Sequence, residues 1–169
     1  MPGRMNQRGE PEGGVCALSV VTPAFNEQEN VVRLVEEIEA AVSPLGQAYE
    51  IIVVDDSSTD STPTLLRSLR AGHPCLRVIR MRQRSGQSSA LAAGLRYARG
   101  RTLATLDADL QNDPADLPAM LARVSSGECD MVNGWRAQRH DTWLRRVSSK
   151  VANGVRNRIT REQVRDSAC

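Results

Sequence analysis

From Leu18 onward, short apolar and β-branched runs alternate with stretches whose apolar residues recur at helical spacing. Leu18–Val21 predicts a first strand, which the segment Thr22-Pro23-Ala24-Phe25-Asn26-Glu27 breaks. Asn30–Val42 then sets Val31, Leu34, Val35, Ile38, Ala41 and Val42 on one helical face, and Ser43-Pro44-Leu45-Gly46 closes the helix. Ile51–Val54 predicts the second strand. The segment from Asp55 to Pro63 is dense in helix-capping residues and leads into a helix over Leu65–Leu69. Leu76–Met81 is the third strand, and Ser85–Arg99 a helix in which Ala90, Ala93 and Gly94 permit close packing on a sheet. Leu103–Leu106 is the fourth strand, Pro114–Val124 a helix opened by Asp113-Pro114, and Met131-Val132 a short fifth strand. Strands alternating with helices imply an α/β fold built on a mainly parallel sheet with right-handed crossovers. The apolar character of the fourth run predicts burial on both faces.

Composition fits this picture. With 169 residues, 40% of them hydrophobic and 25% charged, the chain can bury the core of one domain. Residues 1–15 are rich in Gly and Pro without an apolar stretch, which predicts a disordered leader ahead of a domain over 16–169. That leader lacks the apolar core of a signal peptide, and no later segment approaches the ~18 apolar residues that cross a bilayer. Cys16, Cys75, Cys129 and Cys169 are spread too widely for a zinc knuckle, so reduced cytosolic thiols are expected. The net charge of +2 hides an asymmetry: residues 135–169 hold nine Arg/Lys against three Asp/Glu, whereas residues 1–134 hold thirteen against seventeen. Beyond Asp141, Trp143, Leu144, Val147, Val151, Val155 and Ile159 form an apolar stripe beside Arg145, Arg146, Lys150, Arg156 and Arg158. A basic amphipathic helix of this kind suits core packing or docking at an anionic membrane surface.

Candidate chemistry collects at the strand ends. Asp107-Ala108-Asp109 closes the fourth strand, and extended geometry turns both carboxylates the same way. Two hard oxygen ligands at that place favour Mg2+ or Mn2+. Glu27 follows the first strand and Asp55 and Asp56 the second, so a parallel sheet gathers every one of these acids at its carboxyl edge, where α/β sheets bind ligands. Mutual repulsion there is relieved by a metal or a basic ligand. Ser85-Gly86-Gln87 opens a helix at the same edge, where backbone N–H groups favour an anion. The chain has neither G-x-G-x-x-G nor G-x-x-x-x-G-K-[ST], which removes two common nucleotide-binding folds, and no nucleic-acid partner is expected. His73 lies in a turn and His140 in a loop, and neither is given a role.

Three segments carry a family resemblance: Leu18 to Glu27, Ile51 to Asp60, and Leu106 to Pro114. In that order and spacing they resemble family 2 glycosyltransferases of the GT-A fold, a Rossmann-like three-layer sandwich. Gln111, Pro114, Gly134-Trp135-Arg136 and the later Arg-x-x-Ser and Arg-Asp patterns look most like the polyprenyl-phosphate and dolichyl-phosphate sugar transferases.

The resemblance implies that Pro23, Phe25 and Glu27 line a nucleoside pocket with Asp55 and Asp56 near base and ribose. It implies that Asp107 faces the nucleotide sugar while Asp109 and Gln111 hold a metal, Mg2+ or Mn2+, on the diphosphate. Arg136, and Arg145 or Arg146, would meet phosphate, for which a planar guanidinium fork is suited. Asp166 would stand near the acceptor. The implied reaction is an inverting transfer from a UDP- or GDP-linked sugar to a polyprenyl phosphate, in cell-envelope glycan or glycolipid synthesis, by a protein peripheral at the cytoplasmic membrane face. Family members continue beyond the Asp166 region, so a domain truncated at its C-terminus is expected, with apolar edges that favour homo-oligomers. Two other readings keep the fold: a truncated domain that binds nucleotide sugar without turnover, and a transferase acting on a saccharide hydroxyl.

Overall fold

A computed structural model describes residues 16–134. Four parallel strands, β1 (Leu18–Ala24), β2 (Tyr49–Asp55), β3 (Leu76–Arg80) and β4 (Thr102–Thr105), form one sheet in the order β3-β2-β1-β4. The helices α1 (Val31–Val42), α2 (Thr62–Leu69) and α3 (Gln87–Tyr97) provide the crossovers, and α4 (Leu117–Ser125) follows β4. In β1 and β2, both fully buried, the period-2 alternation of side chains divides the core into two layers. Val20, Ile51 and Val53 pack with Leu34 and Ile38 of α1, Leu66 of α2 and Leu117 at the start of α4. Val21, Ile52 and Val54 face the other way, onto Ala90 of α3. The predicted three-layer sandwich is therefore present. The small residues of α3 act as expected: a Cβ on Gly94 would collide with the side chains of Val21 and Val54.

Two strand expectations need correction. The fourth strand is not buried on both faces: among the described residues it pairs with β1 alone, and Leu103 is 49% exposed. Its apolar side chains line a groove of about 730 Å³ shared with Leu117, Met120, Leu121 and Val124. Met131 and Val132 form no strand, and Met131 is 73% exposed. Local hydrophobicity marks a segment able to enter a sheet, but whether a neighbour pairs with it depends on the tertiary structure. The C-terminal amphipathic helix, Arg136, Arg145, Arg146 and Asp166 lie outside the described residues. Among those described, no helix is long and apolar enough to cross a membrane.

One charged network ties the strands to the loop behind α3. Glu50, 2% exposed on β2, accepts hydrogen bonds from Ser19 Oγ at 2.6 Å and Arg99 N at 2.7 Å, and pairs with Arg77 of β3. Ser19 Oγ accepts in turn from Gly100 N at 2.8 Å. Burial alone would raise the Glu50 pKa, but the hydrogen bonds from Ser19, Arg77 and Arg99 outweigh it and hold the carboxyl below its ordinary range. A carboxyl depressed in the folded state stabilises above its unfolded pKa and loses that contribution as pH falls through the folded value.

Glu50→Gln is expected to cost about 3 kcal/mol at neutral pH in chemical denaturation, with the gap to wild type narrowing below about pH 4.3. A gap independent of pH would contradict this ionised network. Gly100→Ala is expected to destabilise by about 1–3 kcal/mol in the same assay, because its Cβ would run into the backbone of Leu18 and Ser19, which cannot rotate aside.

Candidate functional site

The parallel register brings the strand exits together: Ala24 of β1 lies beside Asp55 of β2, and Val21 of β1 beside Thr105 of β4. Past those exits, Pro23, Phe25, Glu27, Asp56, Asp107 and Asp109 line one cavity of about 250 Å³, closed on a further side by Arg84, Gly86 and Gln87. Four carboxylates thus meet at the carboxyl edge, as the strand order predicts. Asp55 and Gln111 are not among its lining residues.

The two adjacent aspartates after β2 do different work. Asp55, 0% exposed, accepts from Ser58 N at 2.9 Å, and Arg80 Nε stands 3.3 Å from its second oxygen. It organises the turn into α2, where Ser57 takes a positive φ of 63°. Asp56 is also buried, and its two oxygens accept from Ser85 N and Gly86 N, each at 2.7 Å. The N–H groups that open α3 do receive an anion, and it is this protein carboxylate. Gly86 holds φ +88°, ψ 159°, a conformation open only to glycine at low cost.

Further bonds lock the β1 exit to the β2 exit. Asn26 takes φ 56°, its N–H donates to Ser58 Oγ at 3.0 Å, and its Oδ1 accepts from Thr59 N at 2.9 Å. Glu27 N donates to Thr62 Oγ1 at 2.9 Å, while the Glu27 carboxylate accepts from Asn30 Nδ2 at 2.7 Å. Asp60 accepts from Thr62 N at 2.9 Å and Gln28 N at 3.2 Å. Slight burial pulls the Asp60 pKa up, and the hydrogen bonds from Thr62 and Gln28 outweigh it, leaving the carboxyl below its usual range. Asn26, Ser58 and Thr62 were not among the sequence candidates. The available signal was Asn directly before an acid at a strand end, since asparagine tolerates left-handed backbone and bonds locally.

At the β4 side, Gln87 Nε2 donates to Asp107 Oδ1 at 2.6 Å. Leu110 takes φ 57°, and Asp109 Oδ1 accepts from Gln111 N at 3.0 Å, a tight turn that leaves Asp109 exposed to the cavity. The Gln111 side chain lines the groove beside β4. Among the described residues, no cluster of three His, Cys, Asp or Glu could hold a metal unaided. Mg2+ characteristically uses one or two carboxylates, waters and substrate phosphates. Asp107 and Asp109, converging on one cavity, fit a metal whose coordination a phosphate ligand completes.

A parallel sheet between helix layers, with an acid-lined cavity at its carboxyl edge, is the GT-A arrangement. Residues 19–167 match the Glycosyl transferase family 2 domain, and the chain belongs to that family. It is 42% identical over 155 residues to the dodecaprenyl-phosphate galacturonate synthase of Rhizobium johnstonii, covering 90% of this chain and 46% of that protein. It is 38% identical over 154 residues to the undecaprenyl-phosphate 4-deoxy-4-formamido-L-arabinose transferase of Edwardsiella ictaluri, covering 90% and 47%. The chain therefore spans about half the length of these curated relatives. Among solved structures it resembles S. aureus TarS 1-349 in complex with UDP, with a TM-score of 0.59 and 21% identity over 75% of this chain and 38% of that one. It also resembles the mannosyltransferase PcManGT of Pyrobaculum calidifontis in complex with GDP-Man and Mn2+, with a TM-score of 0.58 and 26% identity over 74% and 36%.

Asp56→Asn leaves one of two backbone N–H groups without its carboxylate acceptor, so a loss of about 1–3 kcal/mol is expected in thermal unfolding, together with faster amide exchange at Ser85 and Gly86. Unchanged exchange at both amides would contradict the bracing role.

Proposed function

We propose that this chain is the donor-binding part of an inverting glycosyltransferase that moves a sugar from a nucleoside diphosphate, UDP or GDP, to a polyprenyl phosphate. The observation that carries the reading is the convergence of Asp107 and Asp109 with Pro23, Phe25, Glu27 and Asp56 on one cavity at the sheet's carboxyl edge. The two curated relatives, both named for transfer to or synthesis on a polyprenyl phosphate, support the acceptor class. The mannosyltransferase with GDP-Man and Mn2+ supports a divalent metal, Mg2+ or Mn2+.

Asp109 would hold the metal; Gln111, the second ligand that the family resemblance suggests, lines the neighbouring groove beside β4 and not the cavity. Bound at Asp109, the metal supplies Lewis-acid neutralisation of charge on the departing diphosphate. Asp107, fixed by Gln87, orients the sugar. Pro23, Phe25 and Glu27 enclose the nucleoside. A phosphomonoester has a second pKa of about 6, so a polyprenyl-phosphate acceptor is already an anionic nucleophile at neutral pH. No strong general base is needed on that account, and Asp166 orients the acceptor instead of removing a proton. Arg136 and Arg145 or Arg146 would grip phosphate oxygens in pairs. The excess of basic residues over 135–169 suits a protein held peripherally at an anionic cytoplasmic leaflet.

The test incubates the full chain with radiolabelled UDP- and GDP-sugars, a short-chain polyprenyl phosphate and Mn2+ or Mg2+, then partitions the product into organic solvent. Metal-dependent, solvent-extractable label is expected, falling by at least about a hundredfold in Asp109→Ala, the scale of lost charge stabilisation in the transition state. The unfolding temperature of this variant should barely change because Asp109 is exposed. Undiminished transfer by Asp109→Ala would overturn the metal assignment, and label confined to water-soluble saccharide would overturn the lipid acceptor.

A further inference from the structure

Charge is segregated along the chain. From Ser61 to Leu106 there are nine arginines and no lysine, aspartate or glutamate. Two of them, Arg77 and Arg80, pair with the buried carboxylates of Glu50 and Asp55. In a parallel sheet each crossover helix runs back to the amino edge, so the end of α3 and the starts of β3 and β4 meet there. Arg77 opens β3, Arg96 lies in the last turn of α3, and Arg99 and Arg101 lie in the connection to β4. This corner is a strand's length from the acid-lined cavity: the 7 residues of β1 span about 23 Å at about 3.3 Å each.

The backbone of the corner is fixed while its cationic side chains are left over. Arg99 N donates to Glu50 Oε1 at 2.7 Å, Gly100 N to Ser19 Oγ at 2.8 Å and Arg101 N to the Cys16 carbonyl at 3.1 Å. Arg77 joins Glu50 to the end of α3 by donating to the Tyr97 carbonyl at 3.0 Å. On this frame the side chains of Arg96, Arg99 and Arg101 are exposed, and among the described residues no carboxylate forms an ion pair with any of them. Tyr97, in their midst, is 58% exposed. Complementing the helix dipole accounts for Arg96, but that effect fades past the last turn. It does not account for Arg99 and Arg101, which follow the extended residue Ala98. Nor does Glu50, which takes the guanidinium of Arg77 and only the backbone N–H of Arg99.

We infer that this corner is a docking surface for a short acidic segment of a partner polypeptide. Three guanidinium forks on a fixed backbone suit carboxylates, which they grip in pairs of hydrogen bonds. Arginine and tyrosine are also the residue types enriched at protein interfaces and at their energetic centres. The surroundings decide against a longer polyanion. Residues 16–134 hold eleven arginines against fifteen Asp/Glu, so a nucleic-acid strand or an anionic leaflet running past the corner meets net negative charge. A segment of a few residues stays within reach of Arg96, Tyr97, Arg99 and Arg101. Bound there, it leaves the cavity at the carboxyl edge open, whatever that cavity holds.

The experiment titrates a fluorescein-labelled octaglutamate peptide with the full chain and follows fluorescence anisotropy at about 0.15 M salt. Three triple variants accompany wild type: Arg96, Arg99 and Arg101 all changed to Glu, the same three changed to Lys, and Lys150, Arg156 and Arg158 changed to Glu as a control for the basic segment beyond Gly134. The first two should fold, because the substituted side chains are exposed, and melting of each variant checks this. Wild type should bind the peptide, and the Glu variant at the corner should bind at least about tenfold more weakly. The Lys variant should lose about threefold, because it keeps the charge without the forks, and the control should match wild type. No binding by wild type, or a loss confined to the control, would overturn the inference. So would a Lys variant that binds like wild type, which would reduce the corner to unspecific charge. An RNA octamer or phosphatidylglycerol vesicles held more tightly than the peptide, and released by the Glu variant at the corner, would overturn the choice of a polypeptide.

Discussion

The parallel pairing of β1 with β2 on one side and β4 on the other is the constraint from which the site follows. Parallel strands send their chains out at the same edge, so loops separated by tens of residues in sequence meet there. Ala24 aligned with Asp55, and Val21 with Thr105, set the depth at which each loop leaves. A register shift of one residue on β2 would put one aspartate in the other's place and bring Val54 or Ser57 into the position it left, so either the brace or the turn-former would be lost.

Gathering acids at one edge has an electrostatic cost, and the structure meets it unevenly. Asp55 is matched by Arg80 and Ser58, and Asp56 by two backbone N–H groups. Those two carboxylates are structural anions whose charge is answered inside the protein. Glu27 accepts from Asn30, and Asp107 from Gln87, both neutral amides. Glu27, Asp107 and Asp109 line the cavity at the β1 and β4 exits, with Arg84 among the same lining residues. In the proposed function, a divalent cation arriving with a polyanionic ligand suits such a lining.

Most of the inner scaffold was legible because burial on two faces leaves an unambiguous trace in the sequence. Val20, Val21 and the run from Ile51 to Val54 are apolar without interruption, and the structure buries them all. The convergence of Glu27, Asp56, Asp107 and Asp109 also followed from strand order alone. The environment of β4 did not, because its run has the same composition whether or not a further strand pairs with it. Nor did the separate roles of Asp55 and Asp56. Adjacent identical residues become different only when Ser85 and Gly86, thirty residues away, close on one of them. Arg84 escaped notice for a similar reason: an arginine in a polar run carries no mark of the Phe25 ring that will lie beneath it.

The central claim is that the carboxyl edge is half of a metal site and that a nucleoside diphosphate supplies the other half. Electron paramagnetic resonance of Mn2+ titrated into the full chain, alone and with UDP or GDP, tests it directly. The account predicts weak binding to the protein alone, and a marked gain with the preferred nucleoside diphosphate that the corresponding nucleoside cannot produce. Mn2+ affinity indifferent to the diphosphate would contradict it.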